Sequence, residues 1–145
     1  MVIRKGELHD TEGVTELFKE FHDESLNEYG VNFDIECAKG AWQKHYQESL
    51  VAIKDGKVIG IIAGTLVSFG LEGRQMFQEL VWFVTKKQRR YGVLLLRAME
   101  EKLKSVGISS IVMSHMTNSK SEKIEKLYDK MGYKMLEVHY VKDLS

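Results

Sequence analysis

The spacing of apolar residues changes several times along the chain, and this succession restricts the fold more than any other feature. Apolar positions three and four residues apart predict helices, whereas alternating or continuous apolar runs bounded by turn residues predict strands. From the N-terminus the predicted elements follow the order βααβββαβαβ. This order predicts an α+β fold, in which a mostly antiparallel mixed sheet of six to seven strands carries four helices on both of its faces.

The strands are marked by β-branched and aromatic residues and by the turns between them. Asp55 and Gly56 separate two such runs and have the composition of a type I′ hairpin turn. The last segment is predicted to be β, and its pattern fits either one strand or two. The strand segments are VIR (2–4), LVAIK (50–54), KVIGIIAGTLVSF (57–69), MFQELVWFVT (76–85), ISSIVMSHM (108–116) and YKMLEVHYVK (133–142).

Four segments carry an apolar stripe at helical spacing. Asp10 or Thr11 can cap the first helix, while Gly107 and Gly132 can end the third and fourth in the left-handed conformation. The stripes are Val14, Leu17, Phe18 and Phe21; Ile35, Ala38, Trp42, His45 and Tyr46; Leu96, Met99, Leu103 and Val106; and Ile124, Leu127, Tyr128 and Met131.

Length and charge restrict the class of protein. A chain of 145 residues suffices for one domain, so residues 1–145 are predicted to form a single domain. The 21 Lys and Arg residues balance 21 Asp and Glu residues, so no overall field favours nucleic acid or an acidic membrane as a partner. Cys37 is the only cysteine and the N-terminus has no apolar secretory segment, so we expect a cytoplasmic protein. The five histidines lack metal-ligand spacing, so no metal site is predicted, and a homodimer is left open.

A cluster of cations lies between the third central strand and the third helix. Residues 84–103 read VTKKQRRYGVLLLRAMEEKL, with four positive charges before the glycine. The first N–H groups of a helix and its dipole favour an anion such as phosphate. Gly92 would let a ligand approach the backbone, and Arg89 and Arg90 could donate charge-assisted hydrogen bonds to it. The alternative is a solvated cationic turn.

In this segment the chain resembles the GNAT superfamily of acyl-CoA-dependent N-acetyltransferases. Arg89, Gly92 and Leu94 fall on the three fixed positions of the family's phosphate loop, Q/R-x-x-G-x-G/A, although Leu94 departs from its last Gly or Ala. IRKGELHDTEGVTELF resembles the family's opening strand and helix, AIKDGKVIGII its second hairpin, and LYDKMGYK its closing helix and strand. ELVWFVTKKQRRYGVLLLRAMEE is also similar to a phage and prophage branch of these enzymes.

The resemblance implies an enzyme that uses acetyl-CoA (coenzyme A) as cosubstrate and acetylates a primary amine of a small molecule or a protein, by direct attack in a ternary complex. It implies that the fourth and fifth strands splay apart and that pantetheine lies between them, near the backbone of Phe83 and Val84. The diphosphate would rest on amides from Arg89 to Leu94. The implied cofactor-binding residues are Phe83, Val84, Arg89, Arg90, Tyr91, Gly92, Val93 and Leu94.

Two residues are candidates for the acetyl-transfer chemistry. Tyr128 matches the tyrosine of the family's LYxKxGF ending, which is implied to protonate the departing thiolate; a packed tyrosine is the alternative. Glu79 lies near the place where some members carry a general base, acting directly or through water. Because residues 78–85 alternate, we expect Glu79 on the face of Val81 and Phe83, half-buried and with a raised pKa. An exposed strand carboxylate is its alternative.

Some positions leave the function open. Ser121 stands where the family often has an asparagine, and Asn118 could substitute for it. The acidic residues of the first helix predict a solvated face or an attraction for a cationic acceptor. A module that binds acyl-CoA or a protein without turnover is the first alternative function. A nucleic-acid-binding domain that uses KKQRR with Trp82 and Tyr91 is disfavoured by the zero net charge.

Overall fold

A computed structural model describes residues 1–71, 73–118 and 120–145. In it, residues Met1–Ser114 are organised around a five-stranded mixed sheet. The first four strands pair antiparallel with one another, and the fifth pairs parallel with the fourth. Asp55 and Gly56 form the predicted hairpin turn, both at positive φ (51° and 74°). In chain order, which is also their order in the sheet, the strands are β1 (Val2–Lys5), β2 (Ser49–Lys54), β3 (Lys57–Phe69), β4 (Arg74–Val84) and β5 (Ile111–Val112).

The four predicted helices are all present. The chain divides into two compact units, Met1–Ser114 and His115–Ser145; among the residues that the structure describes, the first holds three α-helices and the second holds one. Gly107 and Gly132 follow the third and fourth helices at φ of 80° and 87°, as their positions predicted. The helices are α1 (Thr11–Ser25), α2 (Ile35–His45), α3 (Gly92–Ser105) and α4 (Ser121–Lys130).

Helices cover both faces of the sheet in Met1–Ser114. α1 and α2 pack on one face, around a core of Val14, Leu17, Trp42, Val51, Ile61, Ala63, Val81 and Phe83. α3 packs on the other face: a β-carbon added at Gly60, the neighbour of Ile61 on β3, would lie 3.5 Å from Leu95. Neighbouring residues of a strand point to opposite faces, so α3 lies opposite α1 and α2, as predicted.

The prediction of a sixth and seventh strand is wrong. Residues 133–142 form no strand, and the segment predicted at 108–116 contains a strand only at Ile111–Val112. Met135, Val138 and Tyr140 are 79%, 62% and 93% exposed, so these side chains gain little from burial. Strand propensity depends on a neighbouring strand and a half-buried face, and an alternating pattern supplies neither by itself.

Two kinds of feature are absent from the described ranges. No helix there is both long enough and apolar enough to cross a bilayer. Nor do three or more His, Cys, Asp or Glu side chains come together there in a group that could hold a metal ion.

Candidate functional site

β4 and β5 are paired over only two positions of each strand. Phe77 is opposite Ile111 and Gln78 is opposite Val112, and the Phe77 N–H donates to the Ser110 carbonyl at 3.0 Å. Within the described ranges no further residue pair joins the two strands after Gln78. The ladder therefore ends at Gln78, where the predicted divergence of the fourth and fifth strands would begin.

A β-bulge in β4 changes which of its residues share a face. Glu79 is opposite Gly64 and Val81 is opposite Ala63, so Leu80 has no counterpart on β3. Since Gly64 and Ala63 are neighbours along β3, they point to opposite faces of the sheet. The predicted alternation is therefore wrong at this point, and Glu79 does not share the face of Val81.

The Glu79 side chain is a buried carboxylate held by Ser114. Its exposure is 8%, which is more complete burial than the predicted half-burial. Oε2 accepts the Ser114 backbone N–H at 3.1 Å and the Ser114 hydroxyl at 2.8 Å. Burial raises the pKa of Glu79 because it disfavours the charged form, while the two Ser114 hydrogen bonds favour the carboxylate and offset part of the rise. No local pattern marks Ser114 as a functional residue, because its contact with Glu79 spans 35 residues of the chain.

The basic segment is a 3₁₀ helix, Lys86–Tyr91, that runs directly into α3. The Gly92 N–H donates to the Arg89 carbonyl, so this N–H is used within the chain. The sequence had predicted that it would be free to bind an anion. The helical segment therefore begins at Lys86, before α3, and the Lys86 N–H donates to the Glu20 carboxylate at 3.0 Å. Among the described residues, no side chain caps α3 itself at Tyr91.

The two arginines of the basic segment point to different partners. The Arg89 guanidinium donates to the Glu24 carboxylate on α1 and lies 5.8 Å from the centre of the Phe83 ring. The Arg90 guanidinium lies 4.9 Å from the Tyr91 ring centre and donates to the Tyr91 hydroxyl at 3.2 Å. This hydrogen bond is the main cause that lowers the pKa of Tyr91. Arg90 therefore interacts with the neighbouring Tyr91, whereas Arg89 forms an ion pair with Glu24 of α1.

Gly92 has no structural need to be glycine. Its φ of −58° is ordinary for a helix, and an added β-carbon would lie 3.6 Å from Trp82 and 3.8 Å from Val84, which is normal contact distance. Gly92 is nevertheless buried, its N–H donates to the Arg89 carbonyl and its carbonyl accepts the Trp82 indole N–H at 3.2 Å, so the approach of a ligand to its backbone stays a prediction. Val93 is half-buried, and Leu94, the third motif position, is 47% exposed, so its larger side chain is accommodated at the surface.

The ladder between β3 and β4 decides which backbone groups face away from β3. The Thr85 N–H donates to the Ile59 carbonyl at 2.9 Å. In an antiparallel ladder alternate residues bond to the same neighbour, so the backbone of Phe83 turns toward β3 and that of Val84 toward the opposite edge. Of the two residues predicted to lie beside pantetheine, Val84 is thus the one whose backbone faces that edge, where its carbonyl accepts a hydrogen bond from Arg89 Nε at 3.5 Å.

Tyr128 lies in the second unit, on α4, and is 9% exposed. The centres of the Tyr133 and His115 rings lie 5.2 and 6.2 Å from the centre of its ring. His115 in turn places Nδ1 3.2 Å from the Ser121 hydroxyl and Nε2 3.7 Å from Glu125. Tyr128 is therefore packed among aromatic rings of its own unit, and its role as a proton donor stays a prediction.

The acidic face of α1 is only partly a solvated surface. Glu20 and Glu24 contact the basic segment, and Asp23 pairs with Lys19 at 2.6 Å. Glu12 and Glu16 are exposed. The first helix therefore uses part of its negative charge to hold the segment before α3.

Comparisons with known proteins support the resemblance. The model of the Acetyltransferase (GNAT) family matches residues 11–133, which include α1, the basic segment and α4. No curated protein matches the chain.

Solved structures with the same fold cover the chain almost completely. The tetramutant of the BH1408 protein from Bacillus halodurans is 19% identical, with a TM-score of 0.76 over 99% of this chain and 100% of that one. A ribosomal-protein-alanine N-acetyltransferase from Brucella melitensis biovar Abortus 2308 is 18% identical, with a TM-score of 0.76 over 99% and 100%. An aminoglycoside acetyltransferase from an uncultured soil metagenomic sample is 18% identical, with a TM-score of 0.63 over 95% and 90%. At these identities the likeness concerns the fold.

Proposed function

We propose a specific reaction for this chain, which belongs to the Acetyltransferase (GNAT) family. It transfers the acetyl group of acetyl-CoA to a primary amine by direct attack in a ternary complex. The observation that carries this proposal is the buried Glu79 carboxylate, which lies where β4 and β5 stop pairing. Its raised pKa is the kind of perturbation that accompanies acid–base work. We further propose that residues 1–145 act as one catalytic domain.

The chemistry requires a neutral amine, because a protonated amine has no lone pair to attack the acetyl carbonyl. At pH 7 only about one in a thousand alkylamine molecules of pKa ~10 is neutral. In the proposal the Glu79 carboxylate accepts a proton from the ammonium, directly or through a water, so that the neutral amine can attack the acetyl carbonyl. The nitrogen loses a further proton to solvent once the N–C bond has formed. The C–S bond then breaks, and the Tyr128 hydroxyl gives its proton to the departing thiolate. The role of Tyr128 rests on the match of LYDKMGYK to the family's ending.

The proposed cofactor contacts lie along the end of β4 and the start of α3. Three observations support them: the backbone of Val84 faces away from β3, the residue at position 92 is glycine without structural need, and residues 86–90 carry four cations. Guanidinium and ammonium groups form strong charge-assisted hydrogen bonds with phosphate oxygens. The remaining proposed contacts are Tyr91, Val93 and Leu94.

The acceptor is proposed no more finely than a primary amine. The two relatives whose names state a substrate act on a ribosomal-protein alanine and on an aminoglycoside, and both share this fold at 18% identity. One fold therefore serves different acceptors, and the acceptor must be found from chemistry at the site. Membership of a phage and prophage branch stays a prediction from residues 79–101.

Release of free thiol from acetyl-CoA in the presence of a panel of primary amines tests the proposal. Amine-dependent thiol release, with one acetylated amine formed per thiol, is the expected result. Glu12→Gln, which changes an exposed carboxylate of α1, should behave as the wild-type chain, whereas Glu79→Gln should be slow. Binding of coenzyme A without thiol release for any amine would instead identify a non-catalytic binding module.

A further inference from the structure

Two carboxylates of α1, one helical turn apart, hold the basic segment at both of its ends. Glu20 and Glu24 stand at positions i and i+4 and so lie on the same side of α1. Glu20 contacts the start of the segment, and Glu24 contacts Arg89 near its end. The two contacts differ in chemistry, because Glu20 accepts a backbone N–H whereas Glu24 accepts a guanidinium N–H.

Glu20 binds groups that fix the backbone of the segment. The Thr85 hydroxyl lies 2.9 Å from both carboxylate oxygens of Glu20, which share its one proton, and Oε1 also accepts the Lys86 N–H at 3.0 Å. A carboxylate at this place satisfies an N–H at the start of a helical segment and meets the positive end of its dipole. Removal of Glu20 would release the path of the chain from β4 into the segment.

Glu24 binds a group that a phosphate could also bind. It accepts a hydrogen bond from the Arg89 guanidinium, and the two side chains are 30% and 32% exposed. Guanidinium groups donate to carboxylate and phosphate oxygens with the same N–H groups. An ion pair this open to solvent is weak, so a doubly charged ligand can replace the carboxylate.

We propose that Glu24 is a placeholder anion that occupies the Arg89 guanidinium until a diphosphate displaces it, whereas Glu20 is a positioning residue that keeps the segment in place throughout. This inference rests on the proposed binding of coenzyme A. It makes Arg89 a group that exchanges between an internal and an external anion. Two carboxylates of one helix should then affect cofactor affinity in opposite directions.

Titration calorimetry of the full chain with coenzyme A tests this pair of roles. Glu24→Gln should lower the Kd about two- to fivefold, the range of a partly exposed ion pair. Glu20→Gln should raise the Kd, and Glu16→Gln, which removes an exposed charge from the same helix, should leave it unchanged. Pantetheine has no diphosphate, so its affinity should not respond to Glu24→Gln.

A second background separates displacement at Arg89 from a general effect of charge. In Arg89→Met the placeholder has nothing to occupy, so adding Glu24→Gln should not tighten coenzyme A further. Equal tightening in both backgrounds, or no tightening in either, would overturn the placeholder role, and unchanged affinity in Glu20→Gln would overturn the positioning role. Failure of the wild-type chain itself to bind coenzyme A would instead refute the proposed function, and the inference with it.

Discussion

Ser114 donates both its backbone N–H and its hydroxyl to one carboxylate oxygen of Glu79, at 3.1 and 2.8 Å. The contact joins β4 to the chain just after β5, beyond the last residue pair of their ladder. A side-chain carboxylate thus makes the link that backbone groups make at Phe77 and Gln78. Since these hydrogen bonds favour the ionised form of a buried acid, Ser114 influences when Glu79 can accept a proton.

Ser114→Ala should raise the pKa of Glu79 further. The substitution removes the hydroxyl, whose hydrogen bond is the larger of the two Ser114 contributions that lower this pKa, and it keeps the backbone N–H. Carboxyl-carbon NMR across a pH series would follow Glu79 directly and needs no activity. Ser109→Ala, which changes an exposed serine nearby, is the control. A pKa that stays in place or falls in Ser114→Ala would contradict this role.

Glu79→Gln should remove a pH dependence of stability. Folded Glu79 has a raised pKa, so the folded chain holds this proton to higher pH than the unfolded chain does. The free energy of unfolding should therefore fall as pH rises from the ordinary glutamate value of 4.5 through the higher folded value. Glutamine has no proton to lose, so the variant should gain stability relative to the wild-type chain over that window. Urea unfolding at several pH values measures this, and parallel curves would count against it.

The same variant should lose most activity at pH values where Glu79 is ionised, above its raised folded pKa, and where the acceptor amine is still mostly protonated. Where few amine molecules are neutral, the loss of the base should slow turnover by about 10² to 10⁴. The deficit should shrink as pH rises, because more of the acceptor is then already neutral. Comparing the pH dependence of kcat/KM for Glu79→Gln and the wild-type chain is the measurement. Profiles of the same shape, merely displaced, would argue against proton removal by Glu79.

Tyr128→Phe should reduce turnover while leaving coenzyme A affinity nearly unchanged. Phenylalanine keeps the ring that packs near Tyr133 and His115, so stability should change by only about 1 kcal/mol. Loss of a general acid should cost roughly 10² to 10⁴ in kcat, less if solvent supplies the proton. The deficit should narrow with an activated thioester whose thiol leaves easily. Tyr133→Phe is the matched control, and an equal deficit with both thioesters would leave Tyr128 as a packing residue.

Substitutions at Gly92 should separate ligand binding from folding. An alanine β-carbon meets Trp82 and Val84 at ordinary contact distances, so Gly92→Ala should raise stability by about 0.5 to 1 kcal/mol, the usual gain for this change in a helix. Gly92→Asp adds a carboxylate that would repel a diphosphate, so it should weaken coenzyme A binding. Thermal unfolding and calorimetry of both variants provide the test. Unchanged affinity in Gly92→Asp would remove this position from the proposed site.

The sequence by itself determined the features that depend on neighbouring residues. The four helices, the hairpin turn at Asp55 and Gly56, and the passage from β4 through the cations into α3 all follow from local spacing and turn composition. A glutamate on β4 could also be singled out, and the direction of its pKa shift was predicted correctly. Such features are local because helix stripes and two-residue turns are specified within a few positions of the chain.

Only the tertiary structure decided the contacts between distant segments. In the register between β3 and β4, Leu80 has no partner on β3. Because of this bulge, Glu79 points to the face of the sheet opposite to the predicted one. Ser114 and Glu24 reach their partners across 35 and 65 residues, so no local pattern could assign them. Residues 133–142 have strand-like composition but form no strand, because a strand is stabilised by the neighbour that accepts its hydrogen bonds and covers its face. Such pairings form only in the folded chain, where segments that are far apart in sequence come into contact.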